Sequence, residues 1–288
     1  MSFHLDIGTP VNDAVNYLLD HYSGFFNVVG SIIGGFGNGL ESALNFPPAW
    51  VLGLILVLLG LWRLGIGFVV FEIIALGVIY TTGFWDHTIT TLALTLSATI
   101  ISLIIGIPLG IWAATSKVTN LVLRPLLDLM QTMPAFVYLV PAAMFFGLGL
   151  VPGTFATVIF AMPPAVRMTA LGIRQVNEEM VEAGRSFGCT SAQLLFKVQL
   201  PNALPSIMAG VNQTIMLALS MVIIASMVGA GGLGNDVLAS IQQLDVGLGF
   251  TSGLAVVLLA VILDRITESF GIQRPARRLF KRPGSPKA

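Results

Sequence analysis

Residues 88–114 read TITTLALTLSATIISLIIGIPLGIWAA, a run without one charged side chain. A hydrocarbon core roughly 30 Å thick calls for about 20 consecutive apolar residues of helix, and this run can cross it unaided. Similar runs lie on both sides. The apolar segments predict about seven spanning helices, at Ala49–Leu64, Ile66–Thr82, Thr88–Ala114, Leu126–Leu148, Thr154–Ala170, Ala203–Val228 and Leu248–Leu263. The 288-residue chain is 55% hydrophobic and 10% charged, too little charge to wet the surface of a soluble protein of this size. The period-two alternation of a membrane barrel is absent. The fold class is all-α integral membrane, because a helix satisfies its own backbone where lipid offers no partner.

The basic residues sort by connection. All 14 Lys and Arg fall at Arg63, at Lys117 and Arg124, at Arg167, Arg174, Arg185 and Lys197, or from Arg265 to Lys287. None falls in TTGFWDH, GLGLVPG or GGLGNDVLASIQQLDVG. Seven spans place every basic group on one side, the cytosolic one by the positive-inside rule. The N-terminus is then expected outside and the basic tail, 271–288, inside. The alternation also supports the first two spans, which Arg63 nearly fuses.

Residues 1–48 form an extracytoplasmic segment in this reading. They have no basic n-region, and Asp6, Asn12 and Asp13 interrupt the apolar residues, so a cleaved signal peptide is not expected. Val11, Val15, Leu18, Tyr22 and Phe26 recur at helical spacing. An interfacial amphipathic helix and a mobile tail both remain open.

The loop 171–202 between the fifth and sixth spans is where charge concentrates. Asn177 can cap a helix whose first turn holds Glu178 and Glu179, favourable at the positive end of the dipole. Met180, Ala183, Gly184 and Phe187 share one face, with Glu178, Glu182 and Arg185 opposite. Gly188 suits a left-handed helix terminator, and Thr190 with Gln193 can form a capping box opening a second helix that ends near Pro201. A helix this short needs something to dock against. The protein's own bundle and a groove on a soluble partner both fit the residues.

EAGRSFG at 182–188, followed by nine residues and VQLP, resembles the cytosolic loop motif of ABC importer permeases. Gly184 stands where that motif has its second Ala, and Val198 where it has Ile. LDLMQTMPAFVYLVPA, IFAMPPAVRMTALGI and NQTIMLALSMVIIASMVGAGGLG are similar to the permease subunit of the glycine betaine/proline betaine/choline importers, over roughly Phe84–Phe270. The resemblance implies a type I ABC importer-like transmembrane domain over 49–270, acting as a homodimer in the bacterial inner membrane. It implies two ATP-binding cassette subunits docked on the loops through Glu182, Ala183, Gly184, Phe187, Gly188, Leu200 and Pro201. It also implies an external substrate-binding protein that selects the solute. ATP and Mg would then sit on the partner chain, with no cofactor on this one.

That expectation agrees with the chemistry missing from the sequence. GAGGLG at 229–234 matches Gly-x-Gly-x-x-Gly, but it follows a membrane helix rather than a strand and precedes no βαβ unit. No phosphate-binding loop ends in Lys-Ser or Lys-Thr. His4, His21 and His87 have no carboxylate or cysteine cluster, and Cys189 is the one cysteine, so neither a metal site nor a disulfide is expected. A net charge of zero gives no reason to expect nucleic acid. The chain is not expected to be an enzyme.

Polar groups inside spans face a wet path or glue helices together. Gln131, Thr132 and Met133, just before Pro134, and Asn212, Gln213 and Ser220 are the path candidates; Ser206 and Gly210 are assigned to packing. Asp128 can pair with Arg124 one turn back. Glu72 is the only acid well inside an expected span. A cation or proton site, pairing with Arg63, or a place nearer the interface are all compatible with it. Phe136 and Tyr138 fall on different helix faces and make no cage for a quaternary ammonium ion. An ion-coupled secondary transporter is the rival class, with inverted repeats and a charged midplane as its marks.

Overall fold

The computed structural model describes residues 8–271; the basic tail beyond Gly271 and residues 1–7, with His4 and Asp6, lie outside them. The described residues form helices α1 (Gly8–Asn45), α2 (Ala49–Arg63), α3 (Ile66–Thr81), α4 (Trp85–Thr115), α5 (Lys117–Thr132) and α6 (Phe136–Phe146). There follow α7 (Leu150–Arg174), α8 (Glu178–Ser186), α9 (Ser191–Leu194), a π turn (Leu195–Gln199), α10 (Leu200–Ser226), α11 (Leu233–Gln243) and α12 (Val246–Gly271). Among the described residues, α4, α7, the α9–α10 rod and α12 are each long and apolar enough to cross a membrane. Two bent pairs, α1 with α2 and α5 with α6, pass the same test jointly, each turning by 95°. At 16 residues α3 is shorter.

The centre of the bundle is α4, α7 and α10, brought together by small residues. A Cβ on Gly110 of α4 would stand 2.7 Å from the Val166 carbonyl of α7, and one on Gly210 of α10 would stand 3.1 Å from the Pro164 carbonyl. Gly172 lies against Ser206 and Ala203 in the same way. Lipid tails are as apolar as leucine, so close backbone approach and dispersion, rather than exclusion of water, hold such helices. Ser206 and Gly210 therefore serve packing, as read from sequence.

Three boundaries differ from the sequence reading. The span expected at Leu126–Leu148 is broken: Met133 is extended (φ −72°, ψ 138°) before Pro134, and α6 leaves at 95°. Proline disfavours helix in the residue before it and cannot donate to the preceding turn. The Tyr138 hydroxyl donates to the Met130 carbonyl (2.7 Å) and the Leu129 carbonyl (3.2 Å), satisfying acceptors near the end of α5. Second, Pro201 does not end the loop's second helix. It stands in the first turn of α10, and the π turn before it carries α9 into one rod, Ser191–Ser226. Proline has no N–H for the Lys197 carbonyl, and a widened turn absorbs the mismatch. Asn202 Nδ2 donates to the Val198 carbonyl there at 2.7 Å. Third, the fifth span runs past Ala170, so Arg174 stands inside α7 with Arg167 and not in the loop.

Residues 8–45 form one helix with a non-helical residue at Tyr22. Leu18 and Tyr22 of the amphipathic stripe are exposed. Past the irregularity the helix is anchored by Phe26, stacked on Phe145 at 4.3 Å, and by Gly30, Gly34 and Gly37, which admit Phe146, Val151 and Leu150.

Candidate functional site

The loop folds into a short helix held from one side. The Asn177 side chain accepts from the Glu179 amide at 2.9 Å, and Glu178 and Glu179 occupy the first turn. At the other end Gly188 takes φ +78°; its amide donates to Arg185 (2.9 Å) and the Cys189 amide to Gly184 (3.1 Å). That pair of bonds is a Schellman closure, which favours glycine at the left-handed residue. Thr190 and Gln193 then form the expected capping box for α9.

The four residues read as one apolar face divide between two jobs. Gly184 is buried, and a Cβ there would meet Leu194 at 2.7 Å, so it seats α8 on α9. Met180, Ala183 and Phe187 are uncovered, Phe187 with 89% of its surface exposed. Glu182 and Pro201 are also exposed, and Leu200 is half-buried at the root of α10. An apolar ring standing free on a water-side loop costs solvation unless another surface takes it.

The polar span residues lie on two uncovered faces. On α5, Leu123, Leu127 and Met130 pack against the bundle, and Val118, Val122 and Leu129 form a separate apolar exposed side. Between these faces lie Arg124, Asp128 and Gln131. Asp128 does not pair with Arg124. It accepts from Arg167 of α7 at 2.5 Å, and Gln131 Oε1 accepts from the same guanidinium at 2.8 Å. Thr132 is exposed beside them and Met133 half-buried at the break. On α10 a stripe of Ala209, Gln213, Met216 and Ser220 is uncovered from one turn to the next. Asn212 stands at its edge, its Nδ2 donating to Asp264 of α12 at 2.8 Å.

Asp264, Arg167 and α11 were missed in the sequence. Asp264 directly follows the last apolar run, and Arg167, inside the expected span Thr154–Ala170, groups by charge with the basic residues of the loop. The apolar spacing of Leu233, Val237, Leu238 and Ile241 was the available signal for α11. The glycines of GAGGLG feed that helix. Gly229, Gly231 and Gly232 all have positive φ, and the Leu233 amide donates to Thr91 Oγ1 at 2.8 Å, pinning the turn to α4. Glu72 is fully buried against Gly60, with neither carboxylate oxygen hydrogen-bonded among the described residues. The pairing with Arg63 does not form. Arg63 instead donates to the Ser269 carbonyl at 2.8 Å, with its guanidinium 4.2 Å from the Phe270 ring centre.

Known proteins with this arrangement are membrane permeases. A family model described as binding-protein-dependent transport system inner membrane component matches residues 106–271. The glycine betaine/carnitine transport permease protein GbuB of Listeria monocytogenes is 52% identical, over 91% of this chain and 95% of its own. The glycine betaine transport system permease protein OpuAB of Bacillus subtilis is 47% identical, over 93% and 96%. Among solved structures, an inward-facing MetNI methionine ABC transporter superposes with a TM-score of 0.57 at 24% identity, over 67% of this chain and 96% of that one, a likeness of fold. The chain belongs to the binding-protein-dependent transport system inner membrane components, the permease subunits of bacterial ABC importers, whose ATPase is a separate chain.

Proposed function

We propose that this chain is the membrane-spanning subunit of an ATP-driven importer for glycine betaine or a related quaternary ammonium solute such as proline betaine, carnitine or choline. The observation that carries the coupling half is α8, seated through Gly184 and presenting Met180, Ala183 and Phe187 to whatever docks there. The relatives' names supply the solute class. Two copies of the chain form the transport unit, with the N-terminus outside, the basic tail in the cytosol and about seven spans each. Two ATP-binding subunits, carrying ATP and Mg, grip the α8 loops, and an external binding protein delivers the solute. Gln131, Thr132, Met133, Gln213 and Ser220 line the route, with Asn212 anchored at its edge. When the ATP-binding subunits close, α8 moves with them; because α8 is seated on the α9–α10 rod, the movement reaches the path. Access alternates because the docked partners bind the two arrangements of the bundle unequally.

Reconstitution tests this. Proteoliposomes holding the chain and its ATP-binding subunit, with the binding protein outside, are expected to accumulate labelled glycine betaine only with internal ATP, and to do so when ionophores are present. Uptake that follows an ion gradient and ignores ATP would establish the secondary-transporter class instead.

A further inference from the structure

We infer that Arg167 and Asp128 form a solute-contact pair that admits zwitterions in preference to simple cations. The inference rests on the proposed betaine route and adds to it the residues that read the solute's charge.

Arg167 sits about two turns inside the end of α7. Its side chain is 41% exposed and that of Asp128 58%, in direct contact at 2.5 Å. Charges at this depth are expensive against hydrocarbon. The most apolar side of α5, with Val118, Val122 and Leu129, is turned away from the pair, with exposed Leu121 between them. The Arg167–Asp128 pair lies between that side and the packed one and stays half-exposed, so it needs water or another polar partner beside it. Arg167 lines a cleft of about 430 Å³ between α5 and α7, walled by Leu127, Val166 and Leu171 and bordered by Arg124 and Arg174. Immediately beyond, α5 breaks at Met133, and interrupted helices inside membranes mark places where backbone faces a cavity.

A betaine carries a carboxylate and a methylated ammonium on one small frame. Arg167 presents planar donors suited to the carboxylate, already oriented by Gln131. Asp128 presents a negative charge to an ammonium that has no hydrogen to donate. The solute thus replaces an existing pair with two equivalent contacts, so binding is weak and release easy, as a conduit requires. A plain cation, choline included, has no group for Arg167 and meets a cleft lined by Arg124, Arg167 and Arg174, so it is expected to be carried more poorly than a betaine.

The test is uptake of glycine betaine by the full complex in proteoliposomes. The variants are Arg167→Lys, Arg167→Gln, Asp128→Asn and the exchange Asp128→Arg with Arg167→Asp, each checked for assembly with the ATP-binding subunit. Arg167→Lys keeps the charge but not the planar fork and is expected to lose part of the uptake, and Arg167→Gln and Asp128→Asn to lose about tenfold or more. The exchange restores an ion pair but reverses its direction along the path, so it is expected to assemble and still fail to transport. Wild-type uptake by the exchange variant would overturn the inference, because the pair would then only tie α5 to α7. Normal uptake by Arg167→Gln would overturn it too. A wild-type complex that carries no betaine would remove the functional reading beneath it, and so is distinguishable from both.

Discussion

Gly188 holds φ +78° at the point where α8 must reverse into α9, and no neighbour crowds the space a Cβ would fill. Its requirement is therefore conformational. The left-handed region costs an ordinary residue about 1–2 kcal/mol, and asparagine less. Assembly with the ATP-binding subunit is expected to fall in the order Gly188, Gly188→Asn, Gly188→Val, as read by copurification. Gly110 is the opposite case, a glycine needed for space. Gly110→Val places atoms against the Val166 carbonyl and Thr169, and overpacking of this kind costs about 1–3 kcal/mol. A lower melting temperature in detergent is expected, with the loop's affinity for its partner untouched. Both kinds of glycine look alike in sequence. Gly188 was legible because a cap and a capping box flank it; Gly110 and Gly184 were not, since their neighbours come from another element.

At the scale of elements, the loop was readable because its signals are local: Asn177, the acidic first turn, Gly188, and Thr190 with Gln193 all act within four residues. The broken span shows where local reading stops. Pro134 announces a disturbance, yet the turn of 95° depends on where α6 finds its packing against α7 and α1. Tyr138 stabilises the bend by donating to Leu129 and Met130. Tyr138→Phe removes this donor from Met130, while Leu129 still accepts from the Met133 amide, at a net cost of about 0.5–1.5 kcal/mol. Faster amide exchange across residues 129–133 is the expected result, and unchanged exchange would mean that Pro134 alone fixes the break. The π turn follows the same logic: Pro201 suggested a stop, but the rod continues because Asn202 and a wider turn accommodate it.

For the whole molecule, composition and charge sorting were enough to specify a polytopic helical protein, since hydropathy is additive along the chain. Which faces stay uncovered was not legible, because that is a property of the assembled bundle. The uncovered stripe on α10, with Gln213 and Ser220, is expected to face the second copy across the route. Ser220→Cys in a Cys189→Ser background is expected to give a cross-linked pair with a short thiol reagent. Leu121→Cys, on the exposed side of α5, serves as the comparison for random collision.

In the proposed coupling, α8 transmits the partner's motion through a free apolar knob, and Phe187 is that knob. The ring is 89% exposed, so Phe187→Asp leaves the fold and its melting temperature intact. Measured in nanodiscs, the affinity of the chain for its ATP-binding subunit is expected to fall by about 30-fold or more on this change, the scale of an interface hot spot. Equal binding by wild type and Phe187→Asp would overturn the proposed coupling, because the exposed ring would then not be where the two chains meet.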